Sequence, residues 1–456
     1  MKIKNSSVKA KTANLKNPSI TQRGKFIVQG GQPLAGEIQL AGSKNAATKM
    51  LVASLLTEEE CVLENFPEIG DTETVKELCR SLGSQINEKG SFLKIKTPKI
   101  ENVESFALRY RNRIPILTLG PLLARVGEAK VPIVGGDKIG SRPVDFHLKA
   151  LESLGAVITI EKDYYRATAP YGLHGANIIF AYPSVGATEN AVLAAVLAKG
   201  KTFIRGAAVE PELIDLIKML QKMGAIIELG ANRQIYISGV EKLSGVHHWV
   251  IPDRNEAVSF ACLALASGGN ILIKDAIQDH LITFLNAVRR CGGNYEVKEE
   301  GIRFWRSKEL AGLELETDTH PGFMTDWQQP MTIVLTQAQG ISVIHETVYE
   351  DRFGYTKDLN LMGARITVFS KCLGELPCRF KNRGFPHSAV VDGKTPLKGT
   401  KIKVPDLRAG IAHLIAALIA EGESIIEGIE EIDRGYEKID ERLKNLGADI
   451  LRIKGN

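Results

Sequence analysis

The sequence predicts a mixed α/β (α+β) protein of two domains, each assembled from three copies of one β/α unit. Three observations carry that prediction. The chain has 456 residues, more than one ordinary hydrophobic core accommodates. A helix–glycine–strand signature recurs six times along it. A second, more apolar helix stands ahead of most copies.

The signature reads CRSLGSQI, LESLGAVI, LQKMGAII, VRRCGGNY, LNLMGARI and LKNLGADI, with glycines at Gly83, Gly155, Gly224, Gly293, Gly363 and Gly447. These lie about 70 residues apart until a longer last interval. An amphipathic helical pattern precedes each glycine and alternating apolar residues follow it, so each copy reads as helix, C-cap glycine, strand. The second set of helices starts in order at LAGSKNAATKMLVASLL with Ser43 as N-cap, RNRIPILTLGPLLAR with Arg113 at its start, and SVGATENAVLAAVLAKG with Thr188. It continues with Asp253 in IPDRNEAVSFACLALASGG, Asp326 in MTDWQQPMTIVLTQ and Asp406 in VPDLRAGIAHLIAALIAEG. Stretches such as AAVLA and LIAALIA are apolar all round, which marks these helices as buried. The segment 367–402 accounts for the long last interval and is expected to form a hairpin-like insertion. Its DGKT lacks the glycine spacing of a phosphate loop.

Composition narrows the function classes. The net charge is +5, yet the first 23 residues hold Lys2, Lys4, Lys9, Lys11, Lys16 and Arg23 and no acid. The remaining body is therefore near −1, which argues against a nucleic-acid footprint. Residues 1–21 are expected to be a basic flexible tail. No apolar run reaches membrane-spanning length, and the basic N-terminus has no apolar segment of a secretory signal, so a cytoplasmic location is expected. Six scattered cysteines read as reduced thiols rather than a disulfide framework. Cys372, Cys378 and His387 match no zinc spacing and lack a fourth ligand, so no metal is expected.

Chemistry-bearing residues concentrate where the buried helices begin: Lys44, Asn45, Arg113, Ser184, Arg254 and Arg408. A helix N-terminus attracts anions through its free N–H groups and macrodipole. If symmetry makes several such ends converge between two domains, the cleft attracts anions although the body is neutral. Taken alone, Asp326 reads as an N-cap, with Gln329 completing a capping box. Arg254 and Glu256 read as a structural ion pair. The stretch VGGDKIGSRPVDFH sets Asp137 and Arg142 among glycines, which suits either a surface turn or a lid over a substrate.

Eight ordered stretches, GGQPLAGEIQLAGSKNAAT, GGDKIGSRPVDFH, YPSVGAT, IPDRNEA, HPGFMTDWQQP, VYEDRF, VPDLRAG and IDRGYEKI, resemble the successive signatures of the UDP-N-acetylglucosamine 1-carboxyvinyltransferases, a family of enolpyruvyl transferases. The resemblance runs from about residue 25 to the C-terminus, apart from the 367–402 insertion. It implies an inside-out α/β barrel in two domains, one spanning 44–251 and the other 22–43 plus 252–456, with the active site between them. It also implies transfer of the enolpyruvyl group of phosphoenolpyruvate to the 3-hydroxyl of UDP-N-acetylglucosamine, without a cofactor.

By the same resemblance, Lys44, Arg142 and Arg434 hold phosphoenolpyruvate, with Arg408 a further candidate. Asn45, Arg113, Ser184, Val185, Gly186 and Val348 surround the sugar nucleotide, and Pro143, Val144 and Asp145, just after the lid, are further substrate-binding residues. Asp326 faces the sugar 3-hydroxyl as general base. The family's usual lid residue is a cysteine, and this chain has Asp137 in its place, as a minority branch does. Two other readings compete: an enolpyruvyl transferase with another acceptor, such as a shikimate phosphate or another nucleotide, and a non-catalytic binding protein. SVGAT and TDWQQP favour the sugar-nucleotide branch. The presence of Lys44, Asp326 and Arg434 disfavours a non-catalytic role.

Overall fold

A computed structural model of the chain describes residues 24–105, 113–133 and 144–455. Asp137, Arg142 and Pro143 lie outside the described residues, as does the tail 1–21. Within the described residues one unit recurs six times: a buried helix, a strand, an amphipathic helix and a hairpin, and in all but the second unit a further strand pairs parallel at the sheet edge.

The first unit shows the pattern. Helix Lys44–Ala53 leads to strand Glu60–Glu64, helix Gly70–Ser81, and strands Gln85–Lys89 and Phe92–Lys96. The hairpin pairs antiparallel, and Val246–Trp249, from far along the chain, adds a parallel edge to Glu60–Glu64. The fourth unit is built alike, and its parallel edge is the N-terminal strand Ala35–Gln39 beside Asn270–Lys274. In the sixth unit, strand Lys25–Gln29 pairs with both Glu423–Glu427 and Asp449–Ile453, taking the place of the missing second hairpin strand. The chain thus closes each set of three units with a strand borrowed from elsewhere in the sequence.

Two separate hydrophobic cores result. One runs from Ala46 to Val250. The other joins Phe26–Leu40 to Ala257–Ile450. The buried helices lie at the centre of each core. Arg254–Ser267, Gln328–Thr336 and Leu407–Ile419 pack on one another, with sheets outside them. Helices inside and sheets outside form the inside-out arrangement, and the apolar composition is the reason: a helix with no polar face has no stable position at the surface. Each buried Leu or Ile there contributes about 1.5–3 kcal/mol.

Several local expectations need correction. The signature glycines do end their helices with positive φ, except in CGG, where Gly292 (φ 88°) takes that role instead of Gly293. Ser43 precedes its helix but its hydroxyl makes no cap; the carboxylate of Asp253 accepts from Lys44 N–H at 3.0 Å instead. In the third unit Ser184, not Thr188, is the N-cap, accepting from Ala187 N–H at 3.4 Å. Asp253 and Asp406 cap their own helices as expected. The insertion is smaller than 367–402. Ile366–Phe369 and Ser388–Gly393 are the ordinary hairpin strands of the fifth unit, and only the connection 370–387 is extra.

Candidate active site

Between the two cores lies a cavity of about 1060 Å³. The beginnings of all six buried helices reach it. Lys44 and Asn45 open the first, and Arg113 precedes the 3₁₀ turn Ile114–Thr118 that leads into the second. Ser184, Val185 and Gly186 start the third and Arg254 the fourth. Asp326 lies in the 3₁₀ turn Thr325–Trp327 ahead of the fifth, and Arg408 follows the cap of the sixth. Helix starts and their dipoles therefore point into one space, which favours anionic ligands. Arg352, Arg379 and Arg434 add positive charge to the walls.

Two aspartates organise that charge. Asp71, at the start of helix Gly70–Ser81, accepts from Lys44 Nζ at 2.8 Å and from Arg434 Nε at 3.0 Å. Arg434 also meets Glu431 at 2.6 Å. Burial alone would raise the Asp71 carboxyl, but Lys44 and Arg434 outweigh it and hold it below the ordinary aspartate value. Asp326 instead accepts from Arg408 Nε at 3.0 Å and from the Arg352 guanidinium. It does not cap the helix behind it, so the capping-box reading fails. Burial works against charge on Arg408, yet Asp326 beside it raises its pKa further.

Arg254 makes a two-pronged ion pair with Glu212 at 2.9 Å, linking the two cores across the cavity wall. Glu256 pairs with Arg442 at 2.8 Å. The two residues are therefore structural, but with other partners than each other. His147 approaches so near to Gly186 that a Cβ there would stand 3.0 Å from its ring. Burial, followed by the charge of Arg113, pushes His147 down to about 3, so the ring is neutral at pH 7. Glu189 lies buried with Lys49 at 3.9 Å, and burial pushes its carboxyl up to about 7.

Of the residues singled out in the sequence, Lys44, Asn45, Arg113, Asp145, Ser184, Val185, Gly186, Asp326, Val348, Arg408 and Arg434 line this one cavity. Val144 precedes helix Asp145–Ser153 and packs against the first core. Asp71, Glu189 and Arg352 were not singled out. Asp71 and Arg352 matter through partners distant in sequence, which periodicity does not reveal. Arg352 does stand inside the quoted stretch VYEDRF. Arg379, Phe380, Arg383 and Phe385 of the extra connection also reach the cavity. Arg379 donates to the Val348 carbonyl and lies 4.0 Å from the ring centre of Tyr182.

The expectation that Cys372, Cys378 and His387 lack a fourth partner is overturned by the fold. His345, at the end of strand Gly340–His345, joins them, and one ligand atom from each of the four lies within 4.8 Å of the others.

Comparison with known proteins agrees with this geometry. Residues 28–443 match the profile of the EPSP synthase (3-phosphoshikimate 1-carboxyvinyltransferase) family. The UDP-N-acetylglucosamine 1-carboxyvinyltransferase of Chlamydia abortus is 49% identical, covering 93% of this chain and 97% of that protein. That of Protochlamydia amoebophila is 48% identical over 94% of each. Among solved structures, the enolpyruvyl transferase NikO from Streptomyces tendae superposes with a TM-score of 0.83 at 22% identity, over 96% of this chain and all of that one. EPSP synthase from Acinetobacter baumannii gives 0.71 at 20% identity, over 94% of this chain and all of that one. No described helix is long and apolar enough to cross a membrane. With that identity along nearly its whole length, the chain belongs to the UDP-N-acetylglucosamine 1-carboxyvinyltransferase family of enolpyruvyl transferases.

Proposed function

We infer that the protein transfers the enolpyruvyl group of phosphoenolpyruvate to the 3-hydroxyl of UDP-N-acetylglucosamine and releases phosphate, the first committed step of peptidoglycan synthesis. The observation that carries this is the convergence of six helix N-termini on one cavity in a chain of this family. Both substrates are anions, and the cavity provides oriented N–H groups and guanidinium forks for phosphate and carboxylate.

The reaction needs a proton delivered to C3 of phosphoenolpyruvate while the sugar hydroxyl attacks C2 and gives up its own proton, then loss of phosphate from the tetrahedral ketal together with a proton from the C3 methyl, which restores the double bond. Asp326 is the general base in this reading: its carboxylate reaches the cavity, and the Arg408 and Arg352 guanidinium groups orient it. Lys44 and Arg434, aligned by Asp71, hold the phosphate and carboxylate, joined by Arg408 and by Arg142 from the lid. Asn45, Arg113, Ser184, Val185, Gly186 and Val348 receive the sugar nucleotide. Asp137 stands where the family's usual member has cysteine and donates the proton to C3 once lid closure excludes water from it. We take the two cores as two domains, 44–251 and 22–43 plus 252–456, opening and closing on this cavity. The reaction suits the cytoplasm, where both substrates occur.

Mixing the purified protein with both substrates tests the reading. Phosphate should appear together with a sugar nucleotide heavier by one enolpyruvyl group. Phosphate release only with shikimate 3-phosphate as acceptor would reject the sugar-nucleotide assignment. The Asp137 assignment has its own test. Fosfomycin alkylates the lid thiol of the usual members, so it should leave this protein active, and time-dependent irreversible loss of activity would refute the assignment.

A further inference from the structure

The extra connection in the fifth unit brings together a set of side chains that the transfer reaction does not use. We propose that His345, Cys372, Cys378 and His387 bind one zinc ion, which fastens the connection 370–387 to the strand beneath it.

The donor set fits a closed structural site. Four-coordinate zinc takes thiolate and imidazole ligands at about 2.0–2.3 Å, which sets neighbouring ligand atoms about 3.3–3.8 Å apart. The Cys372 sulfur lies 3.3 Å from His387 Nε2, and all four ligand atoms fall within 4.8 Å of one another. Cys372 and Cys378 form no disulfide. Both histidines are fully buried, with ring centres 5.5 Å apart.

Each ring is also oriented as a metal ligand. A carboxylate and a carbonyl can only accept, so the groups facing Nδ1 decide the tautomers. His345 Nδ1 donates to Glu316 at 2.9 Å, and His387 Nδ1 donates to the Phe385 carbonyl at 2.6 Å. In both rings Nε2 is left as the nitrogen with a lone pair, and that of His387 faces the Cys372 sulfur. The Nε2 of His345 is buried and has no hydrogen-bond partner among the described residues, a costly state that a metal bond would remove. Acceptors behind the ligating rings are the usual outer support of a metal site.

The surrounding backbone is built around the same point. The Glu316 carboxylate accepts from Glu375 and Leu376 N–H groups, both at 2.9 Å, in the turn between the two cysteines. That turn approaches so closely that a Cβ on Gly374 would stand 2.4 Å from His345 Nδ1. Cys378 is followed directly by Arg379, which reaches the cavity and the Tyr182 ring. The ion would therefore hold one cavity wall in place without entering the chemistry.

The test is elemental analysis of the full chain, expressed with added zinc and purified under reducing conditions without chelator. About one zinc per chain should survive dialysis, falling below about 0.1 in Cys372→Ser/Cys378→Ser. Cobalt(II) added to the metal-free chain should give the intense visible bands of a tetrahedral thiolate site. His345→Gln, which leaves the loop cysteines in place, should weaken those bands and hasten proteolysis within 370–387. Wild-type protein that is folded by circular dichroism, metal-free and silent toward cobalt would overturn the proposal. So would a Cys372–Cys378 disulfide in protein purified without reductant, if reduction restored no metal binding.

Discussion

Asp71 and Asp326 are each flanked by two cations, yet the surroundings fit them for different work. The Asp71 side chain is 4% exposed and joins Lys44 of the first core to Arg434 of the second. Asp326 meets Arg352 and Arg408, both in the second half of the chain, and its side chain is 20% exposed in the cavity. One carboxylate is consumed in aligning positive charge across the cleft. The other remains within reach of a substrate hydroxyl. Residue type and charge pairing alone do not distinguish them; burial and the origin of their partners do.

The comparison can be broken first at Asp71. Asp71→Asn leaves Lys44 and Arg434 facing each other without the carboxylate between them, and breaking a buried pair of this kind costs about 3–5 kcal/mol. Chemical denaturation should show that loss at pH 7, and the KM for phosphoenolpyruvate should rise with it. The pH dependence has a definite sign. The folded-state pKa of Asp71 is depressed, so its stabilisation is present above the unfolded aspartate value and is lost as pH falls through the folded one. The variant should lack that part of the acid slope.

Arg408→Lys should come next. A lysine gives Asp326 and an anionic substrate a point charge where a planar fork stood. Steady-state kinetics should show kcat/KM for phosphoenolpyruvate lowered about 10–100-fold, the equivalent of roughly 1–3 kcal/mol. A smaller effect is expected at Gly186→Ala. The added methyl crowds His147, and overpacking of this kind costs about 1–3 kcal/mol. Calorimetry should find weaker sugar-nucleotide binding, recovered when His147 is shortened as well.

Glu189→Gln should have the mildest consequence. The folded-state carboxyl is raised to about 7, so wild-type stability falls as pH rises from the unfolded glutamate value through that point. The amide has no charge to bury. Melting curves at pH 5 and pH 8 should bring the variant and the wild type closer at the acid end, with the variant gaining about 2–4 °C relative to wild type at pH 8.

Most of the fold was legible because it repeats. Five glycines at one spacing, a sixth after a longer interval and six apolar helices revealed the unit count, and helices apolar all round had to be internal. The clustering of Lys44, Ser184 and Arg408 at helix starts pointed to an anion site. What escaped the sequence were relationships between units. Asp326 looked like a cap because Asp326 and Gln329 satisfy a local rule, and only the spatial neighbours Arg352 and Arg408 show that its carboxylate is directed elsewhere. His345 was invisible as a partner of Cys372 for the same reason: a sheet, not a spacing, brings them together. The borrowed strand Lys25–Gln29 could not be read from its own residues either.

The contrast between the two aspartates rests most directly on Asp326→Asn, assayed on one sample for sugar-nucleotide affinity and for phosphate release. If Asp326 is the base that receives the sugar hydroxyl proton, UDP-N-acetylglucosamine binding should stay within about threefold of wild type while turnover falls at least about 100-fold. Turnover near the wild-type rate would contradict the role given to Asp326 and leave it, like Asp71, a residue that only positions charge.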